Sequence, residues 1–124
     1  MKASGLLACQ RGSAAVELGF ILPVFLSMLF GIINIAMILW TLASLHYAAE
    51  TAARYAAICS PNCNPAITTY AANQYFGKNL GGTNPFTYQA GGCNNTVTAS
   101  YNYSLSIPFI GTFTIPLAAT ACAP

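Results

Sequence analysis

A long uncharged segment near the amino terminus most restricts what this chain can fold into. No charged side chain occurs from Leu18 to Leu45, a stretch of about 28 residues. As an α-helix it would be roughly 42 Å long, whereas the hydrocarbon core of a bilayer needs only about 20 residues. We therefore expect a transmembrane helix. A buried core helix is the alternative, but the remaining chain is too small and too polar to cover it.

The composition excludes several classes of function. Only 5% of the 124 residues are charged, whereas a soluble protein usually has about a quarter. The four basic residues form no cluster, which argues against nucleic-acid binding. With two glutamates, no aspartate and one histidine, the chain lacks the paired carboxylates or positioned base of most hydrolytic and transfer enzymes. We expect no enzymatic activity and no cofactor.

The charges that flank the apolar run predict its orientation. Lys2 and Arg11 precede the run, whereas Glu50 and Arg54 follow it and offset each other. The excess of positive charge before the run predicts a cytoplasmic amino terminus and an extracytoplasmic carboxyl-terminal part. A cleaved secretory signal is the alternative, but its apolar core normally has about 7–15 residues, roughly half the length found here.

Helical signals continue beyond the apolar run. The alanine-rich residues 42–58 extend the predicted helix to 13–58, and Pro61 ends it. One smooth face of this extension consists of Leu45, Ala49, Ala52 and Ala56. A second, short helix is expected over 65–76, with Asn64 as its cap and Gly77 after its end.

The carboxyl-terminal part is expected to contain a β-hairpin. Residues 96–106 alternate apolar and polar side chains, and residues 112–121 repeat the pattern after a turn at 108–111. Pro116 predicts an edge strand or a bulge. Residues 77–95 are expected to form a loop, or a loop with one short strand at 86–89. The predicted class is α+β: a long transmembrane helix (13–58, span about 18–45) and a small extracytoplasmic domain (59–124) with a short helix and antiparallel strands.

Four cysteines follow the long helix and are disulfide candidates: Cys59, Cys63, Cys93 and Cys122. Small extracytoplasmic domains are often cross-linked, and four cysteines allow three pairings. We favour 59 with 63 and 93 with 122. Cys93 has the odd numbering of the apolar strand face, whereas Cys122 has even numbering. In an uninterrupted pair of strands the two would not match, so this disulfide would require a bulge near Gly92 or Pro116. A zinc site that uses His46 is an alternative, although paired C-x-x-C spacing is absent.

The segment directly before the apolar run reads RGSAAVEL, from Arg11 to Leu18. It resembles the prepilin-peptidase recognition site: glycine, four residues, glutamate and then a long apolar helix. The resemblance makes residues 1–12 a leader that ends at Gly12, and Ser13 the new amino terminus. A carboxylate within a membrane helix is costly unless it is paired. Glu17 lies one turn from Ser13 and could pair with its liberated ammonium or with that of a neighbouring subunit.

Residues 11–58 resemble the TadE-like pseudopilins of tight-adherence (Tad/Flp) pilus systems. The resemblance rests on Arg11 to Glu17, on Leu22-Pro23 within the span and on the segment ARYA at 53–56. It implies cleavage by an inner-membrane prepilin peptidase. It also implies partnership with other pilins and an inner-membrane assembly platform, and a minor role in building a pilus for surface adhesion. The implied location is the bacterial inner membrane, with the carboxyl-terminal domain in the periplasm or in an extracellular pilus.

Small residues four apart allow membrane helices to approach closely, and the run contains two such pairs, Ala15 with Gly19 and Ser27 with Gly31. Two other functions stay open. The chain could be an uncleaved single-pass anchor or assembly factor of the secretion machinery. Alternatively, it could present an adhesive aromatic patch, consisting of Tyr101, Tyr103, Phe109 and Phe113, although a core role for these rings is favoured.

Overall fold

The computed structural model describes residues 10–107 and 110–124. Within them lie α1 (Gln10–Cys59), α2 (Ile67–Gln74), β1 (Phe86–Ala90), β2 (Asn95–Ile107) and β3 (Gly111–Ala123). A long helix followed by a short helix and an antiparallel sheet confirms the predicted α+β class. Most of the proposed leader (residues 1–9) and two residues of the predicted hairpin turn (108 and 109) lie outside the described residues.

The chain forms two compact units, one that ends at Ile35 and one from Ala36 to Pro124. The described part of the first unit is α1 alone, and every described side chain from Gly12 to Ile33 is exposed. Two of its polar side chains bond to their own helix: Ser27 Oγ donates to the carbonyl of Val24 (2.8 Å) and Asn34 Nδ2 to that of Phe30 (2.8 Å). These groups are therefore satisfied without a second helix.

The core of the second unit lies between one face of α1 and one face of the sheet. The buried residues of α1 recur every three or four positions, as expected for one side of a helix. They are Thr41, Ser44, Leu45, Ala48, Ala49, Ala52, Ala53 and Ala56. All four residues of the predicted smooth face are among them.

The predicted transmembrane segment overlaps this core at its end. Thr41, Ser44 and Leu45 are completely buried within the protein. The exposed apolar surface of α1 therefore runs from Val16 to Trp40 rather than to Leu45. The sequence did not reveal this difference because a helix face covered by protein has the same apolar character as one covered by lipid.

The second helix is shorter than predicted. It covers Ile67–Gln74 rather than 65–76, its N-cap is Ala66 without a side-chain hydrogen bond, and Tyr75 is already extended (φ −77°, ψ 128°). The expected cap at Asn64 and the expected end at Gly77 are therefore wrong. The early end has a tertiary cause, since the backbone N–H of Phe76 donates to the buried hydroxyl of Ser44 (2.9 Å) instead of continuing the helix.

The sheet is antiparallel with the strand order β1-β2-β3. Strands β2 and β3 pair without interruption from Asn95↔Ala123 to Ile107↔Gly111. The predicted alternation is confirmed: odd-numbered positions of β2 face the core, and even-numbered positions face outward. The buried polar residue Asn95 is satisfied, because its Oδ1 accepts a hydrogen bond from the hydroxyl of Tyr88 (2.8 Å).

Pro116 lies in an edge strand, as predicted, and interrupts no ladder. The N–H of Ser100 donates to the carbonyl of Pro85 (3.1 Å), on the β1 side of β2. Because backbone groups alternate in direction along a strand, the even-numbered residues of β2 direct theirs toward β1. Odd-numbered residues of β2 must then bond to the odd-numbered residues opposite them in β3, such as Leu117 opposite Tyr101. Pro116 consequently directs its nitrogen away from β2, where a missing N–H breaks no bond within the sheet.

The opposite edge of β2 is covered by a lysine. β1 pairs only with the first part of β2, up to Ala99. Beyond that point, Lys78 Nζ donates to the carbonyl of Ser104 (3.2 Å) and lies 4.3 Å from the centre of the Tyr103 ring. A charged side chain at an exposed strand edge hinders pairing with other chains. Lys78 therefore protects the part of β2 that β1 leaves open.

Among the described residues Leu45 has the largest fully buried side chain, so we expect Leu45→Ala to lower the free energy of unfolding of the second unit by about 2–5 kcal/mol. The loss combines missing apolar contact with an unfilled cavity. Denaturant unfolding in detergent, followed by near-ultraviolet circular dichroism, measures it. Leu39→Ala is the matched control, since Leu39 lies on the same helix and is 60% exposed. Equal destabilisation by both variants would contradict the assigned core.

Candidate processing site and membrane-spanning helix

The three residues of the predicted processing site lie in the first turns of α1. Gly12, Ser13 and Glu17 are all exposed. Four residues of helix place Glu17 about 6 Å further along the axis than Ser13 and about 40° around it, so the two lie on the same face. Glu17 is followed by no further acid until Glu50. One carboxylate therefore stands alone at the start of a long apolar surface.

Nothing in the described structure requires glycine at position 12. A Cβ added to Gly12 would have no atom within 4 Å beyond the local helix backbone, and the residue has no positive φ. Glycine within a helix is less favourable than alanine by about 1 kcal/mol. Neither the backbone conformation nor side-chain packing within the described chain explains this glycine.

The two pairs of small residues lie on different faces of α1. At 100° per residue, the pair Ala15 and Gly19 and the pair Ser27 and Gly31 are centred about 120° apart around the helix. A Cβ added to Gly19 or Gly31 would likewise have no atom within 4 Å. The described chain does not bring the two pairs together, and it leaves both surfaces open.

One described helix is long and apolar enough to cross a membrane. It is the segment Gly12–Cys59, whose most apolar stretch has a mean hydropathy of 2.4 and no buried residue. The stretch is therefore unlike the core helix of a soluble domain, which its own chain covers. The helix is compatible with a single-pass membrane anchor.

Both favoured cysteine pairs are disulfide-bonded in the structure. The Cα atoms of Cys59 and Cys63 are 5.0 Å apart, and those of Cys93 and Cys122 are 6.2 Å apart. The expected bulge near Gly92 or Pro116 is absent, because Cys93 precedes β2 and lies in a loop. Alternation applies only within a strand, so the odd and even positions do not conflict. Gly92 (φ 72°) and Asn94 (φ 84°) turn the chain there.

The described residues contain no group of three or more His, Cys, Asp or Glu side chains that could hold a metal ion. His46, the candidate ligand of the alternative zinc site, is exposed on α1, and the four cysteines beyond the helix are taken up by disulfides. The disulfides therefore remove the thiolates on which the zinc alternative depended.

An open cleft of about 410 Å³ between the end of α2 and residues 79–84 is lined by uncharged side chains. Its polar groups already have structural partners. Asn84 Nδ2 donates to the carbonyl of Thr68 (3.0 Å), and the hydroxyl of Tyr75 donates to that of Lys78 (2.7 Å). Burial raises the pKa of Tyr75 to about 12, and the neighbouring Tyr101 contributes less. No lining residue can act as a base at neutral pH.

The aromatic residues of the alternative adhesive patch do not lie together on the surface. Tyr103 is buried and Tyr101 is half-buried, whereas Phe113 is 48% exposed; Phe109 lies outside the described residues. Tyr101 and Tyr103 follow the inward alternation of β2. The favoured interpretation, that these two rings belong to the core, agrees with this placement.

Three residues that position other groups were missed by the sequence analysis: Ser44, Phe76 and Lys78. Ser44 had a usable signal, because Thr41, Ser44 and Ala48 recur at helical spacing and mark a less apolar face within the run. Phe76 and Lys78 had no such signal. Their roles depend on contacts with Ser44 and Ser104, which are distant in sequence.

Comparison with known proteins bears on the amino-terminal part of the chain. No curated protein and no solved structure matches the chain. A family model described as TadE-like protein matches residues 12–54, which begin at the candidate processing glycine and include the exposed apolar surface of α1 and most of its buried face. The resemblance noted from the sequence is therefore confirmed for residues 12–54, and the match is consistent with a TadE-like, pilin-type protein.

Proposed function

We propose that this protein is a pilin-like structural protein that is cleaved after Gly12 and takes part in assembly of a Tad/Flp pilus used in surface adhesion. The observation that carries the proposal is the position of Gly12 and Glu17 at the start of an exposed apolar helix, within the segment that matches the TadE-like family. That family suggests a structural role in a pilus rather than catalysis.

The exposed surface of α1 supports a function in two environments. Large apolar side chains are exposed from Val16 to Trp40, and burying each is worth about 1.5–3 kcal/mol. A bilayer covers them before assembly, and neighbouring helices cover them in a fibre. The small-residue pairs at Ala15 and Gly19 and at Ser27 and Gly31 would let two neighbours approach on different faces.

Cleavage would supply the partner for Glu17. Hydrolysis of the Gly12–Ser13 bond leaves an ammonium group on Ser13, one turn from the Glu17 carboxylate. An unpaired carboxylate at a membrane boundary is energetically costly. Pairing Glu17 with an ammonium group would relieve this cost. The pair forms within one chain or between neighbouring subunits, and in the second case it sets their axial register.

The proposed partners and location follow from the same features. A prepilin peptidase at the inner membrane would remove residues 1–12, and other pilins and the membrane assembly platform would receive the mature helix. The basic residues Lys2 and Arg11 favour a cytoplasmic amino terminus. The two disulfides support a periplasmic or extracellular second unit, since disulfides persist in oxidising compartments.

Intact-mass measurement of the membrane-extracted protein tests the cleavage. We expect a mature chain that lacks residues 1–12 in cells with an active prepilin peptidase, and we expect Gly12→Val to retain them. Gly19→Val is the matched control, because both glycines lie in α1 with no packed neighbour, and it should be cleaved normally. An unsubstituted protein that keeps its leader would refute the proposal.

The uncleaved anchor has one observation in its favour. Helix α1 begins at Gln10, so the Gly12–Ser13 bond lies within a helix that must open locally before a peptidase can cut it. Shear fractionation separates the two functions. A pilus subunit appears in the sheared surface material, whereas a permanent anchor stays with the membrane.

A further inference from the structure

Three exposed aromatic rings form one patch beside the end of the apolar surface. Trp40 and Tyr47 lie seven residues apart on the same side of α1, and Phe76 lies between them. The Phe76 ring centre is 5.5 Å from that of Trp40 and 5.6 Å from that of Tyr47. The three side chains are 49–55% exposed. We call them the aromatic patch.

Phe76 is held in this exposed position by its backbone. Its N–H donates to Ser44 Oγ (2.9 Å), and the Ser44 side chain is completely buried. The following residues are also fixed, because the Tyr75 hydroxyl donates to the carbonyl of Lys78 and the Tyr75 ring occupies the space that a Cβ on Gly77 would need. The loop at 75–78 therefore presents an apolar ring outward at a defined place.

The chemistry of the patch fits the boundary between lipid and water. Trp40 is the last exposed large residue of the apolar surface that begins at Val16. Tryptophan and tyrosine accumulate at headgroup depth because their rings are apolar and their N–H and O–H groups remain hydrated. The rise from Trp40 to Tyr47 is about 10 Å of helix, enough to span one headgroup layer, which is about 5–7 Å thick.

We propose that the aromatic patch inserts into the headgroup layer of the bilayer, so that Phe76 is a second membrane contact outside the spanning helix. The occupant is the lipid surface itself, because the patch is continuous with the apolar surface of α1 and no charged residue occurs between Leu18 and Leu45. This inference rests on the membrane placement of α1 in the proposed function. It does not depend on cleavage after Gly12.

Tryptophan fluorescence can test the contact because Trp40 is the only tryptophan of the chain. The full-length protein is reconstituted into phosphatidylcholine vesicles with a spin label at the headgroup or in the middle of the acyl chain. In the Trp40→Phe background, Phe76→Trp is expected to be quenched several-fold more by the headgroup label than Phe113→Trp. Phe113 is the matched control, since it is equally exposed but belongs to the sheet.

The unsubstituted protein makes the outcomes distinguishable. If the lipid labels do not quench Trp40 at all, the membrane placement of α1 is wrong, and both proposals fail. If they quench Trp40 but quench the tryptophan at position 76 no more than that at 113, α1 is in the membrane and the proposed contact of Phe76 is refuted. That second result would leave a neighbouring subunit as the partner of the patch.

A second measurement needs no substitution and covers the case in which Phe76→Trp does not fold. Phosphatidylcholine with a photoreactive headgroup is mixed with the unsubstituted protein in vesicles and irradiated, and the lipid adducts are mapped by mass spectrometry. We expect several-fold more adducts at residues 75–78 than at residues 111–114. Equal labelling of the two segments would overturn the proposal.

Discussion

Replacing Glu17 with glutamine is expected to leave the protein cleaved and membrane-inserted but to reduce its amount in sheared surface material about tenfold or more. The substitution keeps the size of the side chain and removes the charge that would pair with the Ser13 ammonium. Leaving one partner of a buried ion pair without the other costs about 3–5 kcal/mol. A loss of only about 1.4 kcal/mol per subunit already lowers an assembly equilibrium tenfold.

The chain supplies its own control for this prediction. Glu50 is the other acid of the sequence, lies on the same helix and is also exposed. It lies well beyond the exposed apolar surface, which ends at Trp40, so Glu50→Gln should leave both cleavage and recovery in sheared material unchanged. Equal recovery of the two variants would mean that Glu17 pairs with nothing in the fibre. Intact mass and immunoblotting of the sheared fraction provide both readouts.

Removing the disulfide between Cys93 and Cys122 is expected to destabilise the second unit more than removing that between Cys59 and Cys63. A disulfide stabilises mainly by restricting the unfolded chain, and the effect grows with the length of the closed loop. The separations are 29 and 4 residues. The corresponding losses in the free energy of unfolding are about 3.5 and about 2 kcal/mol.

The comparison requires two double substitutions, one in which both cysteines of the long loop become serine and one in which both cysteines of the short loop do. Denaturant unfolding in detergent, followed by near-ultraviolet circular dichroism, measures each loss. Because the long-loop bond joins the start of β2 to the end of β3, its removal should also accelerate amide exchange near Asn95 and Ala123. If the short-loop variant were the less stable, the loop-length explanation would be wrong.

The elements that were predictable from the sequence are those whose pattern is local. The alternation over 96–106 specified both a strand and its inward face, and the burial of Val97, Ala99 and Tyr103 agrees with it. The smooth face of α1 was predictable because Leu45, Ala49, Ala52 and Ala56 recur at helical spacing. The candidate site was also local, since a glycine, a glutamate and an apolar helix stand in one continuous segment.

The errors arose where a distant residue decided the structure. The end of α2 depends on Ser44, which takes the N–H of Phe76 from a position 32 residues away. The predicted bulge was unnecessary because Cys93 belongs to a loop rather than to β2. The predicted span extended too far because Thr41 and Leu45 are buried within the protein, and no local pattern distinguishes such burial from contact with lipid.

By itself, the sequence determined that a long apolar run begins directly after a glycine and an isolated glutamate, and that two alternating strands follow. These properties depend only on residues that are close in sequence, so the spacing of apolar and charged residues is enough to predict them. Only the tertiary structure decided where the exposed apolar surface ends and which rings border it. Both depend on which distant side chains cover each face of the helix, and a face buried within the protein is as apolar as a face in contact with lipid.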